Sequence, residues 1–307
     1  MKKKQIFILL SLGLIFILIL LGVKSCHRAK PIGQAQVSLF LSGENRVIKL
    51  DLEDYLVGCV AAEMPSSFEI EALKAQAVCA RTYAIKKIID GHPYPKKADL
   101  SDDINSCQAY ITENEFYERH PYQSKKLYNK VKKAVTDTKG VIMLYAGMPI
   151  DALYHSTCGG RTASAEETWG NELAYLQSKS CPYCKASKYY ETRQVFSYQD
   201  FSSIGQVNLT PKQKIIISKN KSGRSKEVSI GDYKISTIKI RGILNLPSSW
   251  IKNIFLDRDE LIVTTCGYGH GVGLCQCGAN GLAQEGKDYK EILKYYYSQI
   301  QIFKIDT

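Results

Sequence analysis

The spacing of apolar residues changes along this chain, and that change restricts the fold more than any other feature of the sequence. Within residues 51–62, 68–90 and 122–138 apolar side chains recur every three or four positions, as on one face of a helix. Between residues 214 and 265 they alternate with polar ones and are often β-branched, as in half-buried strands. Helical and strand-like stretches in one chain predict an α+β fold with antiparallel strands.

Local signals define the first helices. Asp51 is a suitable N-cap for a helix that ends before Pro65, because proline cannot continue a helix. A second helix is predicted over residues 68–90, ended by Gly91. The other predicted elements are hairpins over 37–50 and 141–155, a loop over 91–120, a basic amphipathic helix over 122–138, a short helix over 196–204, strands that include 238–240, and a last helix over 278–297.

An uncharged apolar run, residues 6–23, follows three lysines at the N-terminus. As a helix it would be about 27 Å long, close to the roughly 30 Å thickness of a hydrocarbon core. The lysines favour a cytoplasmic N-terminus. We therefore predict a cytoplasmic tail (1–5), a transmembrane helix (6–23), a stalk (24–36) and an exported domain (37–307). The exported domain is long enough to comprise two subdomains. A cleaved signal peptide is the alternative, although no small-residue cleavage site follows the run.

The formal net charge is +11, and 38 basic against 30 acidic residues remain when the three N-terminal lysines are set aside. A basic surface favours anionic partners. Outside the membrane these would be wall polymers and lipid headgroups, and the predicted exported location argues against nucleic acid. The same surface would also serve solubility alone. The net charge therefore favours anionic binding partners but does not by itself identify a function.

Glu63 ends a helix of small apolar residues, just before the break at Pro65. A carboxyl group in such surroundings is desolvated, which raises its pKa and lets it hold a proton near neutral pH. Glu63 is therefore the candidate general acid, and an ion-paired glutamate at a helix end is the alternative. Lys74 and Arg81 are seven residues apart and share one side of the next helix, where they could bind a polar or acidic substrate or simply face solvent.

Four residues predict a metal site. His155 and Cys158 form an H-x-x-C pair, and Cys181 and Cys184 form a C-x-x-C pair further along the chain. Three thiolates and one imidazole at these spacings are typical of structural zinc, and Cys107 could replace one ligand. A Cys181–Cys184 disulfide and a redox pair are the alternatives, and the redox pair lacks the βαβ setting typical of such motifs.

Residues 266–278 form a glycine-rich segment with His270 at its centre. Its glycines match only a loose dinucleotide-binding pattern without a βαβ unit, so no organic cofactor is predicted. Such a loop lets a ligand approach the backbone closely. His270 is therefore either a ligand-facing group or a hydrogen-bonded core histidine.

These motifs together resemble the stage II sporulation protein D family over nearly all of the predicted exported part. The stretches that carry the resemblance are residues 54–65 (DYLVGCVAAEMP), 71–83 (EALKAQAVCARTY), 154–169 (YHSTCGGRTASAEETW) and 267–283 (GYGHGVGLCQCGANGLA). Many members have H-S-T-S-G-G where this chain has Cys158, and other residues where it has Cys275 and Cys277. The zinc prediction therefore concerns a subset of the family.

The resemblance implies a membrane-anchored lytic transglycosylase that acts on peptide-stripped peptidoglycan during engulfment in sporulation. It places the catalytic glutamate on Glu63, the motif arginine on Arg81 and the loop histidine on His270. Lys74 and Gln276 lie in the same motifs and complete the predicted substrate-binding set. The implied reaction breaks a MurNAc–GlcNAc bond and leaves a 1,6-anhydroMurNAc end, so one carboxyl group can act first as acid and then as base.

The implied partners are glycan strands, the membrane, and a peptidoglycan amidase of the sporulation machinery; a homodimer is left open. Some relatives resemble amidase enhancers. The alternative function is therefore a non-catalytic wall-binding protein that recruits or stimulates an amidase.

Overall fold

The structure is a computed structural model that describes residues 36–91, 94–197, 213–258 and 260–305. The predicted cytoplasmic tail, the transmembrane helix and nearly all of the stalk fall within residues 1–35, outside the described residues. Within the described ranges, no helix is both long and apolar enough to cross a membrane.

Helices and strands are mixed along the described chain, in agreement with the predicted α+β class. The helices are α1 (Leu52–Glu63), α2 (Ile70–Asp90), α3 (Glu113–Arg119), α4 (Ser124–Asp137), α5 (Ala165–Trp169), α6 (Thr237–Ile243), α7 (Gln276–Gln284) and α8 (Tyr289–Tyr296). The strands are β1 (Gln36–Leu41), β2 (Arg46–Asp51), β3 (Leu100–Ser101), β4 (Val141–Tyr145), β5 (Met148–Pro149), β6 (Tyr154–His155), β7 (Thr192–Ser197), β8 (Ile215–Lys219), β9 (Ser225–Ile230), β10 (Tyr233–Ser236), β11 (Ile251–Asp257), β12 (Glu260–Thr265), β13 (Leu274–Cys275) and β14 (Gln301–Lys304).

The described strands form small sheets rather than one large one. Their orders are β2-β1-β3, β14-β4-β5, β13-β6, β10-β9-β8 and β11-β12-β7. Most neighbours are antiparallel, as predicted, whereas β1–β3 and β6–β13 are parallel pairs. The β6–β13 pair joins two of the predicted motifs, because it sets Tyr154 opposite Leu274 and His155 opposite Cys275.

Helix α2 lies at the centre of the larger hydrophobic core. It packs against α1, α4, α7, α8 and β4. Its inward positions carry small residues such as Ala72, Ala77 and Ala80, which are fully buried. Small side chains on α2 let its neighbours approach closely, which is how one helix can touch so many elements.

A second, smaller core lies between strands β8 to β12 and helix α6. Its members include Val228, Ile240, Leu261 and Val263, all of them almost completely buried. This core is separate from the larger one, and its strands show the alternating, β-branched pattern that predicted them.

Three local signals near the start of the described chain are confirmed. The Asp51 carboxylate caps α1 by accepting a hydrogen bond from the N–H of Glu53 at 2.9 Å. The helix ends at Glu63, directly before Met64 and Pro65. Helix α2 ends at Gly91, whose φ of +89° is a conformation that favours glycine.

The prediction of a loop over residues 91–120 was wrong in part. Strand β3 pairs with β1, and helix α3 begins at a capping box in which Thr112 and Glu115 bond reciprocally. The Thr-Glu-Asn-Glu sequence is the usual signal of such a box. It shows that a short helix starts within this polar stretch.

Residues 238–240 were predicted as a strand but lie in α6. The Ser236 side chain accepts a hydrogen bond from the N–H of Lys239 and so caps a helix where alternation suggested extended chain. The hairpin predicted over 141–155 exists only as far as Pro149, because Tyr154 and His155 pair with β13 instead.

The last predicted helix is two helices. Gly286 has a φ of +86°, which interrupts the helix, and Asp288 then caps α8 through a second capping box with Glu291. The helix predicted over 196–204 was wrong at its first two residues, which belong to β7. Residues 198–204 lie outside the described part of the chain.

Candidate active site and cysteine cluster

Glu63 is the last residue of α1, and its carboxyl group reaches a loop. Its Oε1 atom accepts a hydrogen bond from the backbone N–H of Ala109 at 2.6 Å. Because Pro65 prevents continuation of the helix, the side chain leaves the end of α1 at a fixed place. The break at Pro65 therefore positions the candidate acid.

The Glu63 carboxyl group lines a cavity of about 280 Å³, here called the glutamate cavity. Trp169 contributes a ring that is about half exposed (49%). The other lining residues are Tyr83, Ile104, Asn105, Ser106, Cys107, Gln108, Ala152, Leu153, Tyr154 and His270. Within the described part of the chain, Glu63 is the only carboxyl group on this wall.

Burial raises the pKa of Glu63, while the hydrogen bond from Ala109 and the Tyr154 hydroxyl partly lower it. Desolvation dominates because it disfavours the ionised carboxylate more strongly than these two donors favour it. The net effect lets the side chain keep its proton to higher pH than an exposed glutamate does. This is the property expected of a general acid.

Tyr154 connects the carboxyl group to a buried polar network. Its hydroxyl oxygen lies 3.0 Å from Gln108 Oε1, and Gln108 Nε2 lies 3.4 Å from both the Tyr55 hydroxyl and the carbonyl oxygen of Ala80. This network holds the 104–109 loop against α1 and α2. The position of the Ala109 N–H beside Glu63 depends on it.

His270 lines the glutamate cavity, but both of its ring nitrogens are occupied by backbone. Its Nε2 atom lies 2.9 Å from the Tyr154 carbonyl oxygen, and its Nδ1 atom accepts from the N–H of Val272 at 3.1 Å. Burial lowers the pKa of His270 to about 4, so the ring is neutral at physiological pH. In this geometry His270 positions Tyr154, and only its ring surface is available to a ligand.

Arg81 does not line the cavity. Its guanidinium is 1% exposed and forms two hydrogen bonds with the Glu53 carboxylate, at 2.8 and 2.7 Å. It also donates to the carbonyl oxygens of Val135 and Val141. These contacts tie α2 to α1, α4 and β4, so the predicted contact of Arg81 with substrate is replaced by a position in the core.

Lys74 and Gln276 also lie away from the cavity wall. Lys74 forms ion pairs with Glu71 and Asp137, at 2.8 and 3.3 Å. Gln276 is buried and donates to the Gln76 side chain at 3.3 Å. Of the four predicted substrate-binding residues, the structure therefore brings only His270 to Glu63.

The sequence reasoning missed Tyr154, Trp169 and the 104–109 loop. Tyr154 precedes the H-x-x-C pair and Trp169 ends the same motif, so their place in that motif was an available signal. The loop gave no signal, because its role depends on the hydrogen bond from Ala109 to a residue forty-six positions earlier.

Four cysteines form a second buried group, here called the cysteine cluster: Cys158, Cys181, Cys184 and Cys275. Their sulfur atoms all lie within 4.8 Å of one another, and the Cys158 and Cys184 sulfurs are 3.4 Å apart. In a tetrahedron with Zn–S bonds of about 2.3 Å, sulfurs are about 3.8 Å apart. The donor set and its size therefore fit a zinc ion.

Hydrogen-bond donors surround the sulfurs, as is common around metal thiolates. Cys275 Sγ accepts from the N–H groups of Cys158 and Gly278, each at 3.3 Å. The Tyr296 hydroxyl lies 3.1 Å from Cys181 Sγ. The buried Arg224 guanidinium donates to the Cys158 carbonyl oxygen at 3.1 Å and places a positive charge beside the cluster.

The predicted ligand set needs one correction, because Cys275 occupies the place expected for His155. The His155 ring is turned toward the glycine loop, and its Nδ1 atom lies 3.0 Å from the Val272 carbonyl oxygen. The spacing rule failed because Cys275 is ninety-one residues from Cys184 in sequence and reaches the cluster through the β6–β13 pair. Cys107 lines the glutamate cavity instead.

The glycines of the 269–273 loop approach protein atoms. A Cβ atom on Gly271 would lie 2.7 Å from the Arg224 guanidinium, and one on Gly273 would lie 2.0 Å from the Leu153 carbonyl oxygen. Both have positive φ angles. These glycines therefore let the loop pack against β6 and Arg224, whereas the sequence suggested close approach of a ligand.

Comparison with known proteins finds one matching family and relatives that carry the same family name. Residues 42–145 match the family SpoIID, described as Stage II sporulation protein. A protein named Stage II sporulation protein D from Bacillus amyloliquefaciens is 32% identical over 292 residues, which cover 93% of this chain and 83% of that relative. Its namesake from Bacillus subtilis is 33% identical over 286 residues, with coverages of 91% and 81%.

A third similarity is more distant. The Bacillus subtilis protein named Amidase enhancer is 26% identical over 303 residues, covering 79% of this chain and 39% of that protein. The chain thus spans well under half of this longer relative.

Proposed function

The chain belongs to the stage II sporulation protein D family, and from this premise we propose that it is a lytic transglycosylase that cleaves MurNAc–GlcNAc bonds of peptide-stripped peptidoglycan, with Glu63 as its acid and base. The observation that carries the proposal is a desolvated carboxyl group on the wall of an open cavity. Its action at the cell wall during engulfment, outside the cytoplasm and anchored by residues 6–23, is part of the same proposal.

The number of carboxyl groups supports this reaction over ordinary glycoside hydrolysis. Retaining and inverting glycosidases generally use two carboxyl groups that flank the bond, about 5–10 Å apart. Among the described residues that line the glutamate cavity, Glu63 carries the only carboxyl group. An intramolecular reaction needs only one, because the sugar supplies the nucleophile.

In the proposed reaction, protonated Glu63 donates its proton to the glycosidic oxygen as the bond from that oxygen to C1 of MurNAc breaks. The C6 hydroxyl oxygen of the same MurNAc then bonds to C1, and its proton returns to the Glu63 carboxylate. The products are a GlcNAc 4-hydroxyl and a 1,6-anhydroMurNAc end, and no water is consumed. The Ala109 N–H and the Tyr154 hydroxyl stabilise the carboxylate between the two steps.

Trp169 and His270 supply the surface on which a sugar ring would lie. Their ring centroids are 5.4 Å apart, and the Trp169 ring is half exposed at the cavity. Aromatic faces offer large apolar contact areas that suit the C–H faces of a pyranose. The two rings therefore orient the glycan beside Glu63.

The test is mass analysis of products from peptide-stripped glycan incubated with wild-type protein, the Glu63→Gln variant and the Glu118→Gln variant. Glu118 is an exposed residue of α3 and gives a matched loss of one carboxylate away from the cavity. We expect anhydro ends from wild type and Glu118→Gln, and none from Glu63→Gln. Reducing ends heavier by one water, or activity in Glu63→Gln, would contradict the proposal.

The similarity to a protein named Amidase enhancer favours a second candidate, a wall-binding protein that recruits or stimulates a peptidoglycan amidase. The same variants separate the two functions. A non-catalytic protein would give no anhydro ends even as wild type, and Glu63→Gln would leave its amidase stimulation unchanged. If both activities are present, only the glycan cleavage should depend on Glu63.

We also propose that the cysteine cluster holds a structural zinc ion. All four ligands would be protein sulfurs, which leaves no coordination position for water or substrate. Such closed sites are typical of structural zinc. The bound ion would join the 158–184 segment to the start of α7. Metal analysis of protein purified without reductant or added metal tests this, because a disulfide-bonded cluster would contain no zinc.

A further inference from the structure

Strand β14 lies at the edge of its sheet. It pairs with β4 on one side, and no other described strand pairs with it. Phe303 in this strand is 52% exposed. Exposed edge strands with apolar side chains readily pair with another chain unless something covers them.

Hydrogen bonds to β4 alternate along β14. This alternation determines which backbone N–H and C=O groups of β14 remain free to bond to another strand. The Ile305 N–H donates to the Gly140 carbonyl oxygen at 2.9 Å, on the β4 side. Because antiparallel pairs alternate, Phe303 and Gln301 also bond toward β4. The N–H and C=O groups of Ile302 and Lys304 therefore point outward, spaced to accept an added strand.

A groove of about 530 Å³ is lined by residues of β14 and α8, together with Val141 of the neighbouring strand β4. Apolar side chains, including that of Val141, line part of it, and three lysines and Gln301 line the rest. The lining residues are Val141, Tyr289, Lys290, Lys294, Ile300, Gln301, Ile302, Phe303 and Lys304. In strand addition, an extended peptide pairs with an exposed sheet edge while nearby pockets accept its alternate side chains.

The charges of the groove have one sign. Lys290 and Lys294 are four residues apart on α8, so they project from one face of the helix. None of the ion pairs found among the described residues uses Lys290, Lys294 or Lys304. An occupant with carboxylates is therefore favoured over a neutral or basic one.

We propose that this groove binds an extended acidic segment of a partner protein, which adds to β14 as a further strand. Backbone bonds to Ile302 and Lys304 would supply affinity. Alternate side chains of the segment would lie on the apolar side of the groove and beside the lysines of α8, which selects acidic residues at every second position.

The probe is a fluorescent eight-residue peptide of alternating valine and glutamate, followed by anisotropy with the whole protein. Two control peptides have the same sequence with N-methyl groups on alternate amides. One is methylated at the valine amides and the other at the glutamate amides. We expect methylation in one of these two patterns to weaken binding at least tenfold, because it removes the donors that face β14. Equal binding of both methylated peptides and the parent would overturn strand addition.

The protein variants test the charges. The double variant Lys290→Glu/Lys294→Glu should weaken peptide binding at least tenfold. The matched variant Lys125→Glu/Lys126→Glu makes the same charge change at exposed positions of α4 and should leave binding unchanged. Equal losses in the two double variants would mean that net charge alone attracts the peptide, and that result would overturn the proposed groove.

Hydrogen exchange locates the contact and separates a peptide from an anionic polymer. Peptide binding should slow exchange of the Ile302 and Lys304 amides, and those of Lys125 and Lys126 should not change. Polyglycerol phosphate carries negative charge but no amides, so it should not protect the same two amides. Protection by that polymer, or no peptide binding up to millimolar concentration, would contradict the proposal.

Discussion

Arg81 and Glu53 form a two-pronged ion pair between helices α2 and α1, with Nε–Oε1 and Nη2–Oε2 distances of 2.8 and 2.7 Å. The guanidinium is almost completely buried, and the carboxylate is 16% exposed. Two further donations from Arg81, to Val135 and Val141, bind α4 and β4 to the same point. One side chain thus joins four elements of the larger core.

We expect loss of one partner of this pair to be costly. Glu53→Gln leaves a buried guanidinium without a counter-charge, and breaking a buried pair in this way typically costs about 3–5 kcal/mol. Urea unfolding of the purified protein measures the change. The exposed Lys86–Asp90 pair is the control, because Lys86→Ala should cost at most about 0.5 kcal/mol. Equal costs for the two variants would mean that the Arg81 pair has no special role.

Glu63→Gln should raise stability at neutral pH while it removes glycan cleavage. Burial raises the pKa of Glu63 above that of the unfolded chain. Between these two pKa values the folded state binds more protons than the unfolded state, so the stability of the wild type falls as pH rises. The amide cannot ionise and escapes this loss.

The measurement is the free energy of unfolding of both proteins across pH 4 to 8. The two proteins should be closest in stability at the acidic end, and the variant should gain relative to wild type as the pH rises. A constant difference across this range would show that Glu63 is not desolvated as the structure indicates.

Tyr154→Phe should move the alkaline limb of the pH–rate profile to higher pH. The Tyr154 hydroxyl favours the ionised form of Glu63, so its loss raises the pKa of the acid further. The pH dependence of kcat/KM on a soluble peptide-stripped glycan reports this pKa in the free enzyme. Tyr83→Phe is the matched control, since Tyr83 lines the same cavity. A limb that stays in place in Tyr154→Phe would remove Tyr154 from the protonation of Glu63.

The sequence predicted what depends on neighbouring residues. The cap at Asp51, the break at Pro65 and the position of Glu63 at the end of α1 all follow from side chains within a few positions, and all three are found. The apolar surroundings of Glu63 were also readable, because small residues such as Ala61 and Ala62 precede it. Local chemistry was therefore sufficient for the candidate acid.

The sequence could not predict what depends on distant pairing. Arg81 shares a helix side with Lys74, and spacing left substrate contact and exposure to solvent open. A partner in the preceding helix draws it into the core instead. Cys275 joins the cysteine cluster because β13 lies beside β6, a pairing between segments more than a hundred residues apart. Both positions depend on contacts that periodicity does not encode.

Replacement of Cys275 should remove zinc, whereas replacement of His155 should not. If the cluster binds metal, we expect about one zinc per chain in wild type, and Cys275→Ser should lose it because three sulfurs no longer close a tetrahedron. His155→Asn should keep the metal, since this histidine bonds to Val272 and lies outside the cluster. Cys107→Ser controls for the loss of a thiol elsewhere. Zinc lost from His155→Asn but kept in Cys275→Ser would restore the spacing-based ligand set.

Gly273→Ala should destabilise the protein more than Gly147→Ala, although both glycines have φ near +75° to +80°. At Gly147 nothing lies within 4 Å of an added Cβ, so only the backbone strain of about 1–2 kcal/mol applies. At Gly273 the Cβ would lie 2.0 Å from the Leu153 carbonyl oxygen, which also accepts from Leu274 and from Tyr297. Displacing this carbonyl moves the next residue along β6, Tyr154. Urea unfolding should therefore show a larger loss in the free energy of unfolding for Gly273→Ala than for Gly147→Ala. Glycan cleavage should fall in Gly273→Ala alone. Equal losses of stability would show that the loop accommodates the added methyl group without strain.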